Sequence, residues 1–237
     1  MTDFLKVKHV TKNMGHDVIL KSICMDIGRG KIVGLVGPNG SGKTTLLKLL
    51  SGVSHADIGT IEYDWKYPEP LRQGSFVSGY RFLDYVTVRS SLEMIAKMRK
   101  ISQDHIYDVV SQLGLRHYLS KRFSELSLGF QQRLGLAVAV LGCPEFVVLD
   151  EPDQGFDPEA ALSLREMLKT LKEKGSTVLF SSHRLTEIER SCDEIYVLKQ
   201  GSIVYSGPVL FSPHEQGVNL SKLEQDYLKW VDHGDLK

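Results

Sequence analysis

Gly37-Pro38-Asn39-Gly40-Ser41-Gly42-Lys43-Thr44-Thr45 reads G-x-x-x-x-G-K-T, the spacing of a phosphate-cradling P-loop. The apolar run Ile32-Val33-Gly34-Leu35-Val36 precedes it and predicts a buried strand; Thr45-Leu46-Leu47-Lys48-Leu49-Leu50 follows and predicts a helix. That strand–turn–helix setting separates the motif from a chance glycine-rich turn. Glycines let the backbone bend so that successive N–H groups face phosphate oxygens, and the helix N-terminus adds partial positive charge. Lys43 is placed to reach the outer phosphates, and the Thr44 hydroxyl to ligate Mg²⁺.

Outward from this loop the chain alternates. On the N-terminal side, Phe4 to Val10 and Val18 to Ile27 read as strands around a turn at residues 13–17, and Gly59 to Tyr63 adds another. They predict a small antiparallel sheet wrapped around the phosphate-binding unit. From about Tyr80 to Leu141 the period becomes helical: Val88-Ser91-Leu92-Ile95-Ala96, then Ile106-Val109-Val110-Leu113 stopped at Gly114, then a buried helix over Leu134 to Leu141. Beyond it come a short strand over Phe146 to Pro152 with the carboxylates of Asp150 and Glu151 towards its end, a helix from Asp157 to Lys174, a buried strand over Thr177 to His183 with the histidine at its C-terminal end, a helix over Leu185 to Cys192, and a hairpin at Ile195–Tyr205. The fold expected is α/β: a P-loop NTPase core with a mostly parallel sheet, an N-terminal antiparallel β subdomain and an inserted α-helical subdomain. Boundaries fall at about 1–77 and 142–211 for core plus β subdomain, and 78–141 for the helices. A C-terminal helix at about 218–232 puts Leu220, Leu223, Tyr227 and Trp230 on one face, expected to dock on the domain.

Composition narrows the function classes. The 237 residues carry 29 Lys+Arg against 29 Asp+Glu, so nothing global favours nucleic acid or an anionic membrane. Three scattered cysteines, Cys24, Cys143 and Cys192, form no C-x-x-C pair and predict buried thiols in a reducing compartment. The start lacks the apolar region of a signal peptide, and no apolar run is long enough to span a bilayer. Membrane contact is therefore expected only through a partner.

In doubly wound sheets ligands bind at the carboxyl ends of strands. That rule brings the P-loop, Asp150-Glu151 and His183 into one site. Asp150 is suited to hold Mg²⁺ opposite Thr44. Glu151 is suited to polarise an attacking water, and His183 to fix its geometry or that of the γ-phosphate. A second anion-binding device is Leu126-Ser127-Leu128-Gly129-Phe130-Gln131-Gln132-Arg133, with Ser127 as helix cap and Gly129 giving backbone access. By composition alone this is also an ordinary capped helix.

Over about Phe4 to Phe211 the chain resembles ATP-binding cassette (ABC) ATPase subunits of membrane transporters. The ordered set is Walker A (Gly37 to Thr45), signature (Leu126 to Phe130), Walker B (Phe146 to Asp150), D-loop (Gln154-Gly155-Phe156-Asp157) and switch histidine His183. The resemblance implies ATP as substrate, Mg²⁺ as cofactor and Glu151 as catalytic carboxylate. It also implies two subunits, alike or different, packed head to tail. The P-loop of one and Ser127-Gly129 of the other then enclose each ATP, and Asp157 helps communicate across the interface. Transmembrane permease subunits are the implied partners, and the inner face of the cell membrane the implied place.

Three features depart from the family pattern. Ser78 and Gly79 stand where a glutamine usually follows the strand at Phe76-Val77 and touches Mg²⁺. Met14 stands where an aromatic stacks on adenine, and a thioether can cover the ring instead. The signature reads Ser-Leu-Gly-Phe but keeps Ser127 and Gly129. This style resembles stand-alone ATPases of bacterial type-2 exporters of drugs, peptides, toxins or polymers. An importer ATPase and a weakly active regulatory subunit of a heterodimer are the alternatives. A non-transport ABC protein fits less well, because the gap between Lys43 and Ser127 is too short for a long coiled coil.

Overall fold

A computed structural model describes residues 3–78, 82–209 and 221–232. In chain order, β1 (Asp3–Met14) and β2 (Asp17–Gly28) lead to β3 (Ile32–Val36) and α1 (Lys43–Leu50). Then come β4 (Ile58–Tyr63), β5 (Gln73–Phe76), α2 (Val88–Arg99), α3 (Gln103–Gln112) and α4 (Leu128–Val140). The remainder is β6 (Phe146–Asp150), α5 (Pro158–Glu173), β7 (Thr177–Ser181), α6 (Leu185–Ser191), β8 (Glu194–Lys199), β9 (Ser202–Pro208) and α7 (Lys222–Asp232).

Two sheets organise these elements. The small one has order β2-β1-β4 and is antiparallel. The large one has order β5-β6-β7-β3-β8-β9, parallel except at β9. Its central strands β3, β6 and β7 are buried at every residue. The reason is that both faces are covered, which is why their sequences run apolar instead of alternating. Phe146 and Val148 of β6 join Leu46, Leu47 and the β1 residues Phe4 and Leu5 on one face. Val147 and Leu149 join Leu164 and Leu168 of α5 and Leu136 of α4 on the other. Chain order 3 beside 7 and 8 places the carboxyl ends of β3, β6 and β7 at one edge, next to the start of α1.

The helical segment follows its apolar period. Thr87 caps α2, its hydroxyl accepting from the Ser90 amide at 3.2 Å. Helix α3 ends beside Gly114, as its spacing predicts. Helix α4 starts at Leu128, directly after Ser127 at the cap position; the apolar run alone marks it only from Leu134, because its first turns carry the polar Gln131, Gln132 and Arg133. The tail helix α7 does dock: Trp230 stacks on Tyr205 with ring centroids 3.7 Å apart, and Leu223 is buried. Leu220 and Gly79 lie outside the described residues.

One expectation needs correction. Cys24 is exposed, not buried. It sits on β2 next to a break in the β1–β2 register, where His9 of β1 and Ser22 have positive φ, and its sulfur accepts from the His9 amide at 3.4 Å. Among the described residues all three cysteines are free.

Candidate active site

The P-loop closes the gap between β3 and α1. Gly42 is the N-cap of α1 at φ 105°, a conformation in which a side chain is strained, and a Cβ there would press on Leu20 at 2.8 Å. Because the cap is glycine, no side chain satisfies the first amides of α1, and no acidic residue lies in its first turn. The positive end of the helix is left open to an anion. The Ser41 hydroxyl in the same loop is buried without a hydrogen-bond partner among the described residues. Both features are what a phosphate cradle requires.

Lys43 is buried and turned onto its own loop, donating to Gly37 O at 2.7 Å and Pro38 O at 3.1 Å. Burial pushes its ammonium pKa below the ordinary lysine value, while the nearby Glu151 and Asp150 carboxylates oppose that shift. The charge that must meet a triphosphate is thus held in a dry position by carbonyl dipoles.

Strand β6 delivers Asp150. Its Oδ2 accepts from Thr44 Oγ1 at 2.8 Å and from the Ser78 amide at 3.4 Å; its Oδ1 accepts from Ser181 Oγ at 2.8 Å. The same Ser181 oxygen accepts from the Glu151 amide at 3.0 Å. Ser181, at the end of β7, therefore fixes two successive acidic residues at once. Glu151 has φ 50°, a strained conformation for a non-glycine residue and one that persists only when its surroundings enforce it. Its carboxylate meets His183 Nε2 at 2.5 Å. Asp153 is buried and accepts from the equally buried Ser182 at 2.7 Å, a second tie between the segments after β6 and β7.

Thr44, Ser78, Asp150, Glu151, Gln132 and Gln154 line one cleft of about 280 Å³. Its donors suit Mg²⁺. Thr44 and Asp150 offer hard oxygens 2.8 Å apart, and among the described residues no group of three or more acidic, histidine or cysteine side chains makes an all-protein cage. Mg²⁺ takes few protein oxygens and keeps waters and phosphates for the rest, so a two-ligand site fits it.

The sequence-predicted residues thus split into two sets. Gly37 to Thr45, Asp150, Glu151 and His183 come together. Ser127, Leu128, Gly129 and Phe130 do not line that cleft. Ser127 takes the N-cap position of α4, but its hydroxyl makes no capping bond, contrary to expectation, and the side chain faces solvent. A Cβ on Gly129 would meet nothing closer than Gly155 O at 3.7 Å, so nothing in this chain demands a glycine there. Phe130 stacks on Tyr118 at 3.7 Å and lies under the Arg133 guanidinium, facing the protein. Asp157 caps α5 through the Ala160 amide at 2.7 Å and pairs with Arg133 at 3.5 Å. Met14 ends β1 half exposed. Sequence reasoning missed Ser181, Ser182 and Asp153, and quoted Gln132 and Arg133 only as part of the Leu126–Arg133 stretch, without their contacts. The serines were visible as polar residues at the end of an apolar strand, while the other three depend on neighbours distant in sequence.

The family model described as ABC transporter matches residues 20–154, from β2 through the Walker B end and the cleft residue Gln154. The chain belongs to the ABC transporter ATP-binding family. This ABC ATPase is similar to the lantibiotic transport ATP-binding protein SrtF of Streptococcus pyogenes, 31% identical over 84% of this chain and 89% of that protein. It is 32% identical to the bacitracin transport ATP-binding protein BcrA of Enterococcus faecalis over 96% of this chain and 73% of that one. Its fold matches a solved ATP-binding subunit of an ABC transporter at TM-score 0.79 and 26% identity, covering 87% and 90% of the two chains. It also matches, at TM-score 0.78 and 22% identity, an ATP-binding cassette solved as a dimer bound to ADP and Pi, over 88% of this chain and all of that one. Among the described residues, no helix is long and apolar enough to cross a membrane.

Proposed function

We propose that this ABC ATPase powers an exporter of drug-like, peptide, toxin or polymer cargo, as one of a head-to-tail pair of subunits seated on transmembrane permease subunits at the inner face of the membrane. The single observation that carries the hydrolytic reading is the convergence of Lys43, Thr44, Asp150, Glu151 and His183 at one sheet edge, with Ser181 binding both Asp150 and the Glu151 amide. The similarity to SrtF and BcrA supports the cargo class.

In this reading Lys43 leaves the Gly37 and Pro38 carbonyls for the outer phosphates. Thr44 and Asp150 hold Mg²⁺, which when bound neutralises charge on the phosphates. Glu151 orients the attacking water and draws on its proton, a role typically worth about 10²–10⁴ in rate. His183, already in contact with Glu151, positions that carboxylate and the γ-phosphate. Met14 covers the adenine. Ser127 and Gly129 reach the phosphates of the partner's nucleotide, which accounts for an exposed hydroxyl and an otherwise unrequired glycine.

The test is Glu151→Gln. Hydrolysis should fall by about 10²-fold or more while ATP still binds and the protein becomes an ATP-dependent dimer. Hydrolysis at the parent rate would remove Glu151 from its role. Co-purification with membrane subunits tests the transport half, and isolation only with ribosomes or DNA would overturn it.

A further inference from the structure

Helix α4 carries two adjacent glutamines with different fates. Gln131 donates its amide to Phe123 O and Leu126 O, at 3.4 and 3.2 Å, and so braces the turn before the helix. Gln132 has no such bond, and its Oε1 is buried without a hydrogen-bond partner among the described residues. A buried amide oxygen left unpaired is costly, and its persistence asks for an explanation. Gln132 lines the cleft of Thr44, Asp150 and Glu151, on the side of Phe76 and Ser78.

We infer that Gln132 is the positioning carboxamide of the metal side of this site, supplied by α4 and not by the segment after β5. The inference rests on the nucleotide reading above. The chemistry is direct. A carboxamide offers a hard, neutral oxygen to Mg²⁺ or to its bound water, and N–H donors to a carboxylate or phosphate. The other groups around Thr44 and Asp150 already have work. Ser78 reaches Asp150 only through its backbone amide, and Gln73 of β5 is committed to Leu50 O at 3.0 Å. Gln154 also lines the cleft, but it is solvent-exposed, whereas the Gln132 oxygen is not.

The mounting is rigid. Gly135, one turn along from Gln132, lies against the Phe76 ring so closely that a Cβ there would overlap it, so α4 cannot rock on β5 without repacking. Helix α4 is headed by Ser127 and Gly129. One rigid helix thus joins the metal side of a subunit's own site to the surface it offers its partner.

The test uses the full chain with Glu151→Gln as the parent, so that nucleotide persists. Binding of a fluorescent ATP analogue is titrated with Mg²⁺ in the parent and with Gln132→Leu, Gln132→Ala or Gln132→Glu added. Leu and Ala should raise the Mg²⁺ concentration for half-maximal binding about tenfold, while Glu, which keeps an oxygen, should not. Binding without Mg²⁺ is measured for each variant as its own reference, and Glu should weaken it, because its carboxylate joins Asp150 and Glu151 against the triphosphate. Gln132→Leu should also raise the melting temperature of the nucleotide-free protein, because it removes an unpaired polar group. An unchanged Mg²⁺ dependence, or a lowered melting temperature, overturns the inference alone. A parent that binds no ATP at any Mg²⁺ concentration overturns the function reading, and this inference with it.

Discussion

The edge formed by the P-loop, β6 and β7 and the surface formed by the start of α4 differ in how far each is finished within one chain. At the first, hydroxyl, carboxylate and amide groups satisfy one another: Thr44 to Asp150, Ser181 to Asp150, the Glu151 amide to Ser181. At the second, Ser127 caps nothing and Gly129 faces space. Internal satisfaction makes a site whose loss damages the fold as well as the chemistry. An exposed, unpartnered device makes one whose loss damages only an assembly. That difference is the one expected if the site is divided between two subunits, as proposed above.

The sharpest way to break that comparison is complementation. Lys43→Ala and Ser127→Arg should each abolish ATP hydrolysis as homodimers. Mixed in equal amounts, they should recover about one quarter of parent activity. Random pairing makes half the dimers mixed, and each mixed dimer keeps one intact site of two. No recovery in a rate assay, with dimers present, would place Lys43 and Ser127 in the same site of one chain.

Paired serine substitutions give a smaller effect with the same logic. Ser181→Ala removes a buried hydroxyl that serves Asp150 and the Glu151 amide together, and should cost roughly 1–3 kcal/mol of folding stability as well as activity. Ser127→Ala should leave unfolding within about 0.5 kcal/mol of the parent and lower only hydrolysis. Denaturant unfolding of the two variants checks this, and equal losses would erase the distinction.

These contrasts also mark what the sequence could carry. The strands β3, β6 and β7 were legible because burial on both faces writes an unbroken apolar run. The P-loop was legible because glycines and lysine are required at fixed spacing within nine residues. Strand β5, Gln73–Phe76, is neither apolar nor alternating, and pairs only because β6 lies beside it. The early turns of α4 were marked only by Ser127 at the cap position, because their polar residues interrupt the apolar period. Ser181 shows locally only as a polar residue ending an apolar strand, and Gln132 only as part of a polar stretch; their roles come from groups that the fold brings together: Asp150 and Glu151 for the serine, the cleft for the glutamine. Local chemistry is written locally, whereas the bracing of a site is written in tertiary contacts.

The smallest expected effect concerns how the nucleotide edge is held. Helix α6 begins two residues after His183 and is pinned to α5 by Arg165, whose Nε and Nη2 each donate to a Glu187 carboxylate oxygen at 2.8 Å. The guanidinium holds the Glu187 pKa below its ordinary value of 4.5. A carboxylate with a lowered folded-state pKa stabilises the fold fully above its unfolded value. That contribution fades as pH falls from about 4.5 through the lower folded value. Glu187→Gln should therefore destabilise by about 1–2 kcal/mol near neutral pH, less than a fully buried pair because Arg165 is partly exposed. The gap between variant and parent should narrow as pH falls below about 4.5, as measured by unfolding at a series of pH values. A gap that stayed constant with pH would mean that packing of the side chain, and not its charge, ties α6 to α5. His183 would then owe its position to shape alone.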